Sequence, residues 1–206
     1  MAIPNRPSFA APPMPMETGL VIGLLGGSFN PAHEGHLHAS ALALKHLNLD
    51  YIWWLVSPQN PLKSKAGMAP FEARLASAKK LAYHPRIIVT GIEAQLGTSF
   101  TLDTVKALKR RFPHVRFAWL MGTDNLVQFP RWRNWQEIFR QIPIAAVARP
   151  GNVLPARICK AAIRFKNDYV PPNARFLHRA PPCWTILDSG ARNPQSATAI
   201  RTASRG

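Results

Sequence analysis

Cysteine is scarce: Cys159 and Cys183 are the only two in 206 residues. They make no disulfide framework and sit at no metal-ligand spacing, so a reducing, cytoplasmic compartment is expected. Acidic residues are few as well, ten Asp and Glu against 26 Lys and Arg, for a net charge of +16. Residues 1–100 hold eight basic and five acidic side chains, and residues 101–206 eighteen and five. Such a basic half favours a polyanionic partner: nucleic acid, acidic lipid or nucleotide phosphate. No apolar run approaches the roughly 20 residues of a membrane helix, and no internal repeat is visible. The first eighteen residues carry five prolines and no apolar signal segment. They are expected to be a flexible Pro-rich leader ahead of one domain, residues 19–206. At 47% hydrophobic residues the chain can bury a substantial core.

Apolar runs alternate with helical patterns along that domain. Leu20–Leu25, Asp50–Ser57, Arg86–Ile92, Val115–Met121, Ile142–Arg149 and Cys183–Asp188 read as strands. Helical spacing covers about Gly35–Leu47, Pro70–Tyr83, Leu102–Phe112, Trp135–Gln141 and Pro155–Phe165, with a short helical passage after Met121. The fold class expected is α/β, a Rossmann-like doubly wound parallel sheet with helices on both faces. In such a sheet ligands bind beyond the carboxyl ends of the strands. Gly26–His36, Ser57–Lys65, Gly91–Thr101, Gly122–Trp135 and Arg149–Gly151 all fall there.

The densest of these stretches is Gly26-Gly27-Ser28-Phe29-Asn30-Pro31-Ala32-His33-Glu34-Gly35-His36. Two glycines after a buried strand let backbone N–H groups approach a phosphate. The helix start that follows is an anion site by its orphan N–H groups and dipole. Two imidazoles three residues apart can face one anion. Surface histidines, or half of a metal site, are the plain alternatives, and no Cys lies nearby to complete the latter. In the second dense stretch Asp124 suits a ribose hydroxyl and a helix N-cap equally. Trp132 and Trp135, three apart, allow one ring in the core and one beside a flat ligand. Thr101 with Thr104 fits a helix cap. Lys63 and Lys65 lie in a proline-bounded loop from which an ammonium can reach a triphosphate.

The first stretch resembles the nucleotidylyltransferase signature GG[ST]F[DN]PxHxGH. Gly122–Trp135 looks like the GxDxLxxFxxW block of the nicotinate-nucleotide adenylyltransferase family, and Thr98–Thr104 resembles its [PT]SYTxDT segment, with Phe100 for the usual Tyr. Ser196–Arg201 is similar to its SSTxIR signature, with Ala197 for one Ser. The segments run in the family's order from Gly19 to Arg201. The resemblance implies transfer of the adenylyl group of ATP to nicotinate mononucleotide, giving deamido-NAD and pyrophosphate in NAD biosynthesis.

It further implies His33, His36, Lys63 and Arg201 as catalytic residues. ATP is expected on Gly26, Gly27, Ser28, Phe29, Gly35, Ser196 and Thr198, and the mononucleotide on Thr98, Ser99, Thr101, Asp124 and Trp132. Mg2+ comes with the ATP phosphates, with no metal ligand set in the protein. Two competing readings are an adenylyltransferase acting on nicotinamide mononucleotide and a basic nucleic-acid-binding protein on a nucleotide fold. The latter would use Arg131, Arg133, Arg140, Arg157, Lys160, Arg164 and Lys166.

Overall fold

A computed structural model describes residues 19–58, 67–148, 153–173 and 176–188. Six strands, β1 (Val21–Gly27), β2 (Tyr51–Val56), β3 (Ile87–Thr90), β4 (Arg116–Gly122), β5 (Ile144–Val147) and β6 (Trp184–Leu187), form one sheet. All pairs are parallel, in the order β3-β2-β1-β4-β5-β6. The central strand β1 is therefore covered on both faces, which explains its unbroken apolar run. Among the described residues eight α-helices accompany the strands: α1 (Glu34–Leu47), α2 (Phe71–Leu81), α3 (Ile92–Leu96), α4 (Thr101–Arg111), α5 (Thr123–Gln128), α6 (Trp135–Gln141), α7 (Val153–Ile158) and α8 (Lys160–Arg164).

Alternation along β1 sorts the core into two layers. Ile22 and Leu24 point into a cluster with Leu102, Val105, Phe129 and Phe139 of α4–α6 and the turn after α5. Val21 and Leu25 point into the other, with Leu37 and Leu44 of α1 and Leu75 of α2. A buried relay ties α1 to the sheet: the Trp54 indole donates to the Ser40 hydroxyl (2.9 Å), which donates to the His36 carbonyl (2.8 Å).

Three local expectations need correction. Ile92 is not strand: β3 stops at Thr90, whose hydroxyl accepts the Ile92 N–H (3.1 Å) at the first residue of α3, a helix the hydrophobic pattern does not reveal. The helix expected over Pro155–Phe165 is two. Cys159 is extended (φ −69, ψ 161) and its thiol is directed at the Leu126 carbonyl. Nor do Thr101 and Thr104 cap α4; its N-cap is Phe100, without a side-chain bond.

Candidate active site

The turn after β1 differs in detail from a bare glycine cradle. A Cβ on Gly26 would stand 2.7 Å from the Trp119 indole, so glycine here is demanded by packing as well as by any ligand. On Gly27 the nearest atom would be the Phe29 ring at 3.4 Å, an ordinary contact. Gly26→Ala is therefore expected to destabilise by about 1–3 kcal/mol and Gly27→Ala by clearly less. Urea unfolding midpoints of the two variants check this, and equal midpoints would contradict it. The left-handed residue is Phe29 (φ 47), an unusual conformation for a bulky side chain. The residue is 2% exposed, its ring stacked on Trp54 at 5.2 Å and packed on His36 at 4.6 Å. The Phe29 ring is thus part of the core packing under the turn.

His33 and His36 begin α1 as a reciprocal cap. His33 is the N-cap, 5% exposed, and its Nδ1 accepts the Gly35 N–H (3.1 Å). The His36 Nδ1 accepts the His33 N–H (3.2 Å). The two ring centroids are 3.9 Å apart. Accepting the Gly35 N–H, the His33 Nδ1 leaves its ring proton on Nε2. The His36 Nδ1 lies 3.3 Å from the His33 carbonyl as well, so its role there follows the tautomer. The pair is neither scattered on the surface nor sunk in hydrocarbon; it is a preorganised pair of imidazoles at a helix start.

Behind this turn lies Arg74 of α2, a residue that sequence reasoning missed. It is 2% exposed. Its guanidinium donates to the carbonyls of Ser28, Ser57 (2.8 Å), Pro58 (3.0 Å) and Ala69 (3.0 Å). Burial holds its pKa below the usual value, partly offset by Glu72. Asn30 braces the same region, donating to the Gly67 carbonyl (3.0 Å) and accepting the Ala69 N–H (3.1 Å). A buried cation satisfied by carbonyls keeps its charge for an anion outside.

The second cluster joins α3, α4 and α5. The Arg133 guanidinium lies 4.6 Å over the Phe100 ring and so links the Thr98–Thr104 segment to the Gly122–Trp135 segment. Thr98 and Thr101 are half-buried and Ser99 is exposed. Asp124 is half-buried in the first turn of α5, whose N-cap position is Gly122, so Asp124 is not the N-cap. Trp132 is half-buried, with edge contacts to Phe129 (4.9 Å) and Trp119 (6.3 Å). Trp135 is also half-buried, packed on Phe129, Phe139 and Phe165. Neither tryptophan is wholly in the core.

Glu93 of α3, also missed from the sequence, is 8% exposed. The Thr104 hydroxyl donates to its Oε1 (3.0 Å), and the Thr98 hydroxyl stands 2.9 Å from that of Thr104. Burial pushes the Glu93 carboxyl up to about 7 from 4.5, against a smaller lowering by Thr104. Between these values the folded chain keeps a proton that the unfolded chain has released. Stability therefore falls as pH rises from 4.5 through 7, and stays reduced above. Glu93→Gln is expected to melt higher than the unaltered chain at pH 8, with the gap closing by about pH 5. Thermal melts at both pH values check it; a gap independent of pH would contradict it.

The topology brings the two clusters to one end of the sheet. β1 pairs directly with β4, from Val21↔Arg116 to Leu25↔Leu120, so the Gly26–His36 turn and Asp124 leave adjacent strands. Gly26, Gly27, Ser28, Phe29, Gly35, His33 and His36 share the β1 exit. Lys63, Lys65, Arg149–Gly151, Ser196, Thr198 and Arg201 lie outside the described residues, as does the leader 1–18. Arg131, Arg133, Arg140, Arg157, Lys160, Arg164 and Lys166 are all exposed. Among the described residues no group of three His, Cys, Asp or Glu could hold a metal ion, and no helix is long and apolar enough to cross a membrane.

Residues 24–203 match the family model described as cytidylyltransferase-like. A protein of Parvibaculum lavamentivorans, named probable nicotinate-nucleotide adenylyltransferase, is 54% identical over 89% of this chain and 92% of its own. One of the same name from Cereibacter sphaeroides is 48% identical over 90% and 98%. Among solved structures, the Plasmodium falciparum nicotinic acid mononucleotide adenylyltransferase complexed with NaAD superposes with a TM-score of 0.65. Its identity is 16%, covering 89% of this chain and 83% of that one, a likeness of fold. By sequence match over nearly its whole length, carried on the strand order and turn described above, this chain belongs to the nicotinate-nucleotide adenylyltransferases of the cytidylyltransferase-like family.

Proposed function

We propose that this chain transfers the adenylyl group of ATP to nicotinate mononucleotide, releasing pyrophosphate and forming deamido-NAD, a step of NAD biosynthesis. The observation that carries the reading is the direct pairing of β1 with β4. At this switch point two nucleotides, one on each strand exit, have their phosphates side by side. The mononucleotide phosphate, with a second pKa of about 6, is largely dianionic at neutral pH and needs no base. Its oxygen bonds to the α-phosphorus while the bond from that phosphorus to the bridging oxygen breaks, pyrophosphate leaving with the electron pair.

In this mechanism His33 and His36 donate from Nε2 to the ATP phosphates, His36 at the α-phosphate where charge builds. Backbone N–H groups of Gly27, Ser28 and Phe29, with Gly35 at the helix start, cradle the triphosphate beside Gly26. Ser196 and Thr198 complete that cradle, while Lys63 and Arg201 stabilise the departing pyrophosphate. Mg2+ arrives as the counter-ion of ATP, with phosphate oxygens as its ligands. Asp124 accepts from a ribose hydroxyl of the mononucleotide and Trp132 stacks on its pyridine ring. The Thr98–Thr101 loop meets the nicotinate carboxylate through backbone N–H groups and the hydroxyls of Ser99 and Thr101, Thr98 being engaged with Thr104.

The test is pyrophosphate release from ATP with each mononucleotide in turn. Turnover with the acid well above that with the amide is expected. Faster turnover with the amide would replace this reading by its nearest competitor.

A further inference from the structure

Glu93 is buried, where an apolar residue would avoid the cost of desolvating a carboxyl. Among the described residues no cation pairs with it. It holds the following turn twice over. Its carbonyl accepts the N–H groups of Gly97, which is left-handed (φ 63), and of Thr98 (3.1 Å). Its carboxylate accepts the Thr104 hydroxyl. That hydroxyl also faces the Phe100 carbonyl (3.3 Å). Donating to the Glu93 Oε1 and facing the Phe100 carbonyl, Thr104 has its own proton engaged and accepts that of Thr98 (2.9 Å). The hydroxyls therefore form a chain with one direction, Thr98 to Thr104 to Glu93. The chain closes the turn from Gly97 to Thr101 onto α3 and fixes where its remaining N–H and hydroxyl groups point.

We propose that Glu93 is a positioning residue for the mononucleotide, orienting through Thr104 and Thr98 the turn that receives the nicotinate carboxylate. This rests on the mononucleotide reading of that turn. Glu93→Ala is expected to raise KM for nicotinate mononucleotide about tenfold, the scale of one lost hydrogen bond. KM for ATP should stay near that of the unaltered chain. Glu93→Gln, which keeps an acceptor for Thr104, restores most of the loss. Thr104→Val, shape-conserving and without the hydroxyl, reproduces the same split, and serves where the alanine variant fails to fold. A rise shared equally by both substrates, or unchanged KM values with only a lowered melting temperature, would reduce Glu93 to a structural staple and overturn the proposal. Absence of pyrophosphate release by the unaltered chain is a different failure, one that overturns the underlying reading and this proposal together.

Discussion

Replacing His36 by alanine is expected to lower kcat by roughly two to three orders of magnitude, the scale of losing a donor aimed at developing charge. Two functions are removed at once, because His36 also accepts the His33 N–H in the reciprocal cap. Loss of a cap alone costs about 1 kcal/mol of stability. His36→Asn separates them. Its side-chain oxygen sits where the imidazole has Nδ1 and can accept from His33, while nothing occupies the place of Nε2. The asparagine variant is expected to melt near the unaltered chain yet share the fall in kcat. Pyrophosphate release at saturating substrates, alongside thermal melts, gives both readings. Near-normal kcat in His36→Asn would leave the imidazole as a cap and nothing more.

Arg74→Met is the second large effect, and it is one of stability. Four carbonyls converge on this guanidinium from the β1 turn, the β2 exit and the approach to α2. Methionine fills the volume but leaves these acceptors unmet, at a cost of roughly 3 kcal/mol or more. Arg74→Lys keeps the charge without the planar fork and falls between. Urea unfolding measures the loss. In enzyme that is still folded, KM for ATP should rise, because the Ser28 carbonyl is part of the turn we propose for the phosphates. A midpoint unchanged in Arg74→Met would mean that these contacts contribute nothing net.

The two missed residues show why legibility stopped where it did. Arg74 stands in Phe71-Glu-Ala-Arg-Leu, and Glu93 in Ile92-Glu-Ala-Gln-Leu, helical contexts in which a charged side chain normally faces solvent. Only neighbours distant in sequence, Ser28 and Ser57 for Arg74 and Thr104 for Glu93, turn each into a buried anchor. The capping expectation at Thr101 and Thr104 failed as well. The helix begins at Thr101, one residue after its N-cap Phe100, so Thr101 and Thr104 both lie inside it, and the Thr104 proton goes to a buried carboxyl of α3. The Pro155–Phe165 pattern read as one helix because periodicity does not register the extended residue at Cys159.

By itself the sequence determined the α/β alternation, the parallel sheet, the glycine turn with its paired histidines, and the second block at Asp124 and Trp132. These are properties of short windows, where hydrophobic period and turn chemistry act locally. The tertiary structure alone decided that β1 and β4 lie side by side, which makes the two blocks, both expected at the carboxyl ends of strands, immediate neighbours. It also decided which polar groups go inside: burial and hydrogen-bond satisfaction depend on partners that the chain brings together only when the sheet closes.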